Sequence, residues 1–184
     1  MILQLNRVQM LLAAMAIAIV SIFVVSTLSA GIADAKGKNV RKGPSGLAFY
    51  KPPKKTPKQH GKLIWARNAG GLVPLESARV TKNVLYTSKT PLGKRTAVSG
   101  SISIPKGKAP KGGWPVVSYA HGTTGIADKC APSRNKVGGP AESYISYTDP
   151  QLNSWLDAGY AVARTDYQGL GTPGTHAFLI GKAS

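Results

Sequence analysis

The stretch that most constrains the fold is residues 114–125, which read WPVVSYAHGTTG. Residues 116–120 form a short apolar run between a proline and a glycine-containing loop, which is typical of a strand buried on both faces of a parallel sheet. The loop that follows, residues 121–125, can turn sharply because its two glycines tolerate positive φ. Ligands of open α/β sheets bind at the carboxyl ends of strands, so this loop is a candidate site. A plain polar turn is the alternative interpretation.

The first 35 residues predict an export signal rather than folded structure. Arg7 precedes a long apolar run, and Ala33-Asp34-Ala35 has the small-x-small form of a processing site. Cleavage is expected after Ala35, with Ala30 as the second candidate. Residues 10–30 are also long enough for an uncleaved membrane anchor, which needs roughly 20 apolar residues. A secreted protein is favoured because small residues and a polar stretch follow the apolar run.

The charge is strongly basic and unevenly distributed. The chain has 184 residues, 24 Lys and Arg, 7 Asp and Glu, and a net charge of +17 at pH 7. Residues 36–62 hold nine basic residues and no acidic one, a composition that favours a disordered, solvated arm. The arm is interpreted either as a plain linker or as a segment that binds an anionic envelope or membrane surface. Nucleic acid is not expected, because the arm lacks the aromatic interleaving of single-strand binders.

Residues 63–184 predict a single, incomplete domain that begins with antiparallel strands. A first short strand is expected at residues 63–67. Residues 78–88 and 96–105 then alternate apolar and polar side chains on either side of a Pro/Gly turn, which is typical of a β-hairpin.

A strand–helix–strand unit follows the hairpin. Its helix is expected to be capped by Thr148 or Asp149 and to end at Gly159. The strands of such a crossover are parallel, so residues 116–120 and 160–166 are expected to lie side by side. The fold class predicted from hairpin and crossover together is a mixed, mostly parallel α/β sheet.

A second glycine-rich loop, residues 166–176, follows the second parallel strand and reads DYQGLGTPGTH. Carboxyl ends of parallel strands lie at one edge of a sheet, so the two loops are expected to flank one cleft. Asp166, Tyr167 and Gly169 are assigned to the cleft wall. Asp166 is further interpreted as a turn former that bonds local N–H groups, and His176 as a cleft-wall or surface histidine.

Three motifs in order resemble the secretory lipase family of α/β-hydrolases: YAHGTTG at residues 119–125, CAPS at 130–133 and DYQGLGTPG at 166–174. The likeness covers roughly residues 61–184, which correspond to the N-terminal part of that fold. It implies a serine carboxylic ester hydrolase, lipase or esterase, that acts on a lipid or small ester substrate. No metal cluster or phosphate-binding motif is visible in the sequence, so no cofactor and no metal are expected.

The resemblance also implies a nucleophile that the sequence does not contain. Hydrolases of this fold use Ser, Asp or Glu, and His, with the serine in Gly-x-Ser-x-Gly, and that motif is absent from the 184 residues. In the family, this serine motif lies further along the chain than the position that corresponds to Ser184. No catalytic residue is therefore assigned, the sheet is expected to be incomplete at its C-terminal side, and the chain is expected to be inactive alone. An odd cysteine in an exported protein suggests a free thiol or a partner elsewhere, and a partner of Cys130 would lie in the same absent part.

The loop after the first parallel strand is the expected oxyanion hole. In this class of hydrolase a backbone N–H from the corresponding loop stabilises the oxyanion, often in a His-Gly motif. The N–H of Thr123, or next of Thr124, is the expected donor. His121, Gly122 and Gly125 are assigned to shaping the loop.

A second function, from a different class, fits the same sequence. The basic arm and a degenerate hydrolase half would make a non-catalytic exported protein that docks on anionic envelope or membrane surfaces. Ester turnover and salt-dependent vesicle binding distinguish the two functions.

Overall fold

The computed structural model describes residues 40–178, so the expected export signal lies outside the described residues. Five strands form one open sheet in the order β1-β2-β3-β5-β4. The strands are Leu63–Asn68 (β1), Ala78–Lys89 (β2), Arg95–Pro105 (β3), Val116–Tyr119 (β4) and Ala161–Thr165 (β5).

The sheet is mixed, as predicted, and the parallel pairing of β4 with β5 is confirmed. The other three described pairings, β1 with β2, β2 with β3 and β3 with β5, are antiparallel. The expected predominance of parallel pairs is therefore not found in the described strands. Two parallel strands that are neighbours in a sheet need a crossover connection of a dozen or more residues. Among the described strands, only β4 and β5 are joined by such a crossover and lie side by side.

Two short α-helices, Glu142–Ser146 (α1) and Asp149–Asp157 (α2), lie within the crossover. Helix α2 buries Leu152 and Leu156 against Val162 of β5, which fixes the helix on the sheet. It ends, as predicted, just before Gly159, whose φ is +84°. The predicted side-chain cap is not found at its other end, because the Thr148 hydroxyl donates instead to the carbonyl of Ile145 at 2.9 Å.

The expected disordered arm is only partly a solvated segment. A 3₁₀ helix, Gly46–Tyr50, places Phe49 and Tyr50 in the core with 0% and 4% of their surface exposed. Trp65 of β1 donates from Nε1 to the Phe49 carbonyl at 3.0 Å. Two adjacent aromatic side chains bury enough apolar surface to order this segment, while the lysines around them stay exposed.

Strand β4 is not buried on both faces as expected. Its side chains alternate between exposed and half-buried, and Val116 is 64% exposed. The reason is topological: β4 lies at the edge of the sheet, and no other described strand pairs along its outer side.

Candidate functional site

The two glycine-rich loops meet at the carboxyl ends of β4 and β5. The His121 ring stacks on the Tyr167 ring, with centroids 4.3 Å apart and an interplanar angle of 26°. The Tyr167 hydroxyl also donates to the His121 carbonyl at 2.7 Å. The juxtaposition expected from the parallel strands is therefore observed.

Tyr167 has the one positive φ, +70°, among the non-glycine residues described. This backbone conformation is costly for a tyrosine and persists only where surrounding contacts over-determine it. The Tyr167 N–H donates to the Thr165 hydroxyl at 3.1 Å, and its ring lies between His121 and His176, the latter at 6.4 Å and nearly parallel. Tyr167 is thus the side chain that joins the two loops.

Both loops have positions that require glycine. Gly169 has φ of +66°, and a Cβ there would lie 2.3 Å from the Thr175 carbonyl oxygen. Gly125 has φ of +126°, and a Cβ there would lie 2.6 Å from the Cys130 sulfur. Gly122 has open space around it and no positive φ, so the expected left-handed turn occurs at one of the two glycines of the first loop.

The two residues predicted to supply the oxyanion donors differ in their exposure to solvent. Thr123 is exposed, and Thr124 is buried with 7% of its surface accessible. Neither backbone N–H donates to an acceptor among the described residues. Two consecutive free N–H groups at a strand end are the arrangement that can receive a developing oxyanion.

A small enclosed space lies under this loop. The Thr124 hydroxyl and His121 Nε2 are buried there without a hydrogen-bond partner among the described residues. The volume open to a water molecule is about 10 Å³, which is the size of one water. The space is therefore too small for an ester substrate, which has to approach from the exposed side of the loop.

His121 holds the loop rather than acting as a base on any described residue. Its Nδ1 lies 2.6 Å from the Gly122 carbonyl, so Nδ1 carries the proton and donates. Burial lowers the pKa of His121, while the Gly122 bond and the charge of Asp166 act in the opposite direction. His121 is thus a neutral imidazole that donates to the backbone of its own loop.

Asp166 is neither a local turn former nor part of an exposed cleft wall. It is completely buried, and it accepts hydrogen bonds from the Ser133 N–H at 2.8 Å and the Ser99 hydroxyl at 2.6 Å. The Ser133 hydroxyl donates to the same carboxylate. Burial raises the pKa of Asp166, and the bonds from the two serines act in the opposite direction. The carboxylate thus ties β3 and the 3₁₀ turn Pro132–Arg134 to the end of β5.

Sequence reasoning missed Arg164, a buried cation two residues before Asp166. It is 4% exposed, donates from Nε to Ser101 at 3.1 Å and lies 3.7 Å from the Asp149 carboxylate. Burial lowers the pKa of Arg164 and raises that of Asp149, and the charge of each partner opposes the shift of the other. Arg164 is also one of the residues that line the space beneath Thr124. The available signal was a cation that directly follows the apolar run Ala161-Val162-Ala163 within one short strand.

Cys130 is a free, buried thiol, 8% exposed, that packs with Ala131, Ile145 and Leu170. Residues 40–178 contain no group of three or more His, Cys, Asp or Glu placed to hold a metal ion. Within the same range, no helix has the length and apolar character needed to cross a membrane.

The fold and site define an open α/β sheet with a loop-lined edge, and solved structures similar to it include a lipase and a hydrolase. Candida antarctica lipase A in its closed state is 18% identical, with 73% of this chain and 30% of the lipase covered and a TM-score of 0.48. A second structure of the same lipase is 18% identical, with 71% and 29% covered and a TM-score of 0.47. A Legionella pneumophila protein assigned as a hydrolase is 32% identical, with 50% and 22% covered and a TM-score of 0.36.

The chain spans less than a third of the length of each of these proteins. The roles proposed for individual residues rest on this chain's own geometry. No family model matches the sequence, and no curated protein matches it significantly.

Proposed function

We propose that the chain is part of an exported serine carboxylic ester hydrolase, of lipase or esterase type, and supplies the oxyanion side of its active site. The observation that supports this is the pair of free N–H groups on Thr123 and Thr124, at the carboxyl end of a parallel strand pair. Ester cleavage by a serine places negative charge on the former carbonyl oxygen. Fixed N–H donors stabilise that charge more than they stabilise the uncharged substrate, which lowers the barrier.

The nucleophile, its base and the orienting acid are proposed to lie outside these 184 residues, because no Gly-x-Ser-x-Gly occurs within them. The purified chain alone is expected to show no saturable turnover of short- or long-chain p-nitrophenyl esters. The coding region downstream of Ser184 is expected to contain Gly-x-Ser-x-Gly, in frame or after a frameshift. Saturable turnover by the chain alone, or a downstream region without such a motif, would contradict the proposal.

The oxyanion assignment is tested in the longer product that carries the serine. Thr123→Pro removes the backbone N–H and is expected to lower kcat about 10²–10³-fold, the usual effect of losing one such donor. Thr123→Ala is the matched control, because it removes the side chain and keeps the N–H, and it is expected to stay within a few-fold of wild type. Activity of Thr123→Pro close to that of Thr123→Ala would show that this N–H is not the donor.

Export, with cleavage after Ala35, is proposed from the sequence pattern of the first 35 residues. Expression in the native host followed by N-terminal sequencing of the medium fraction is expected to yield protein that begins at Lys36. A membrane-retained protein that still carries residues 1–35 would support the uncleaved anchor instead.

Binding of an anionic surface is the second candidate function. The observation that favours it is the exposure of the basic side chains at Arg41, Lys42, Lys51 and Lys62, in a segment that has no acidic residue. Because such binding releases counterions, it is expected to weaken steeply as salt is raised. Flotation with anionic vesicles at low and high salt tests it.

A further inference from the structure

A concavity of about 690 Å³ lies beside the C-terminal end of β1, away from the candidate oxyanion loop. Backbone hydrogen bonds join residues 41–43 to Ala66 on this side of β1. The segment at residues 42–46 borders it on one side, and the end of β1 and the middle of β2 border it on the other. Three of its lining residues, Lys42, Arg67 and Lys82, are basic, and none is acidic. It shares no lining residue with the space beneath Thr124. Its volume lies within the range of small-molecule sites.

The three positive charges are not neutralised by neighbouring carboxylates. Within the described residues, the ion pair found at 4.0 Å or less is the one between Arg164 and Asp149. The acceptors that hold two of the cations are uncharged. Lys82 Nζ donates to the Asn68 side-chain carbonyl at 2.9 Å, and one guanidinium nitrogen of Arg67 donates to the backbone carbonyls of Pro44 and Gly46.

Arg67 is held in place before any ligand arrives. Its guanidinium carbon lies 4.4 Å from the centroid of the Phe49 ring, and Nη1 bonds the Pro44 and Gly46 carbonyls at 2.9 and 3.1 Å. Both contacts immobilise the side chain, which reduces the entropy that binding would otherwise cost. The remaining guanidinium N–H groups and two N–H groups of Lys82 are left to donate.

We propose that this pocket binds a phosphate group, either in a phospholipid headgroup or in a small soluble phosphate. Lys and Arg supply hydrogen-bond donors with positive charge and no acceptor, which matches the several acceptor oxygens of phosphate. Three cations without a carboxylate also favour a group that can carry more than one negative charge. The assignment differs from general attraction by the basic arm, because Arg67 and Lys82 belong to β1 and β2.

The test compares two double variants of the protein beginning at Lys36, matched in charge. Lys42→Gln/Lys82→Gln removes two of the pocket cations, and Lys94→Gln/Lys111→Gln removes two exposed lysines that do not line the pocket. Binding is measured by calorimetry with inorganic pyrophosphate, and by flotation with phosphatidylcholine vesicles with and without phosphatidic acid, whose phosphomonoester can carry two negative charges. The pocket variant is expected to bind at least about tenfold more weakly, and the control within about threefold of wild type.

The two probes distinguish the source of the phosphate. Selective loss of pyrophosphate binding in the pocket variant assigns a soluble ligand, and selective loss of vesicle binding alone assigns a headgroup. Equal weakening in both double variants would show that net charge alone is responsible and would overturn the pocket. Wild-type protein that binds neither probe would overturn it as well. Near-ultraviolet circular dichroism verifies that both variants keep the native fold.

Discussion

At the scale of single residues, the serines of β3 explain how two charged side chains are accommodated in the interior. Ser99 and Ser101 are at most 1% exposed, and they donate to Asp166 and accept from Arg164, respectively. A small side chain leaves room for the long or charged one opposite, and its hydroxyl satisfies a polar atom that would otherwise be unpaired. The polar face of β3 is therefore part of the core.

Asp166→Asn tests this arrangement through its pH dependence. Because burial raises the folded-state pKa of Asp166 above its ordinary value of 3.8, the folded state holds the proton more tightly than the unfolded state. The stabilising contribution of Asp166 to the free energy of unfolding is thus expected to increase as pH falls from the folded-state pKa towards 3.8. It is expected to be lost as pH rises through the folded-state pKa. Asparagine does not titrate, so wild type is expected to gain stability relative to the variant on acidification.

The measurement is urea unfolding followed by pulse proteolysis, at low protein concentration and at several pH values. Asp157→Asn serves as the control, since Asp157 is exposed and is expected to give a curve close to wild type. Parallel stability curves for wild type and Asp166→Asn would contradict the proposed titration.

At the scale of elements, the short 3₁₀ helix Gly46–Tyr50 links the basic segment to the site. The Tyr50 hydroxyl donates to the Ser133 carbonyl at 2.8 Å, and Asn83 Nδ2 donates to the same carbonyl at 2.9 Å. Ser133 in turn bonds Asp166. The segment therefore supports the loop that carries Ser133, although its composition predicts disorder.

Phe49→Ala is expected to destabilise the protein by about 3–5 kcal/mol, because it leaves a cavity among Trp65, Ile64 and Leu85. The matched control is Leu47→Ala in the same helix: Leu47 is 64% exposed, and its truncation is expected to cost less than about 0.5 kcal/mol. Urea midpoints from pulse proteolysis measure both. Equally small effects of the two substitutions on stability would show that the segment is a solvated arm rather than part of the core.

At the scale of the whole molecule, the outer edge of β4 is the feature most open to other chains. The Pro115 carbonyl accepts from the Ala161 N–H, so the backbone groups of Val116 and Ser118 point away from β5. No described strand pairs with them. An open edge with an exposed apolar side chain is a template for pairing with another strand.

The chain is accordingly expected to self-associate as its concentration rises, and Val116→Lys is expected to reduce that association because a charged residue opposes edge pairing. Val137→Lys is the control, since Val137 is 77% exposed but lies in a loop. Sedimentation velocity over a concentration series compares the two variants with wild type. A monomeric wild type at every concentration, or an equal effect of both substitutions, would contradict the role of the edge.

The sequence by itself determined the features that depend on neighbours along the chain. Alternation over residues 78–105 predicts the hairpin, the 3.6-residue periodicity that ends at Gly159 predicts α2, and the two glycine-rich loops predict a shared edge. Tertiary structure alone decided which polar groups are buried, which aromatic residues of the basic segment enter the core, and that antiparallel pairs dominate the described sheet. Asp166 bonds Ser99 across 67 positions and Tyr50 bonds Ser133 across 83, and no local pattern encodes such contacts. Burial depends on what packs from a distance, so a serine or an aspartate that looks solvated in sequence can lie at the centre of the fold.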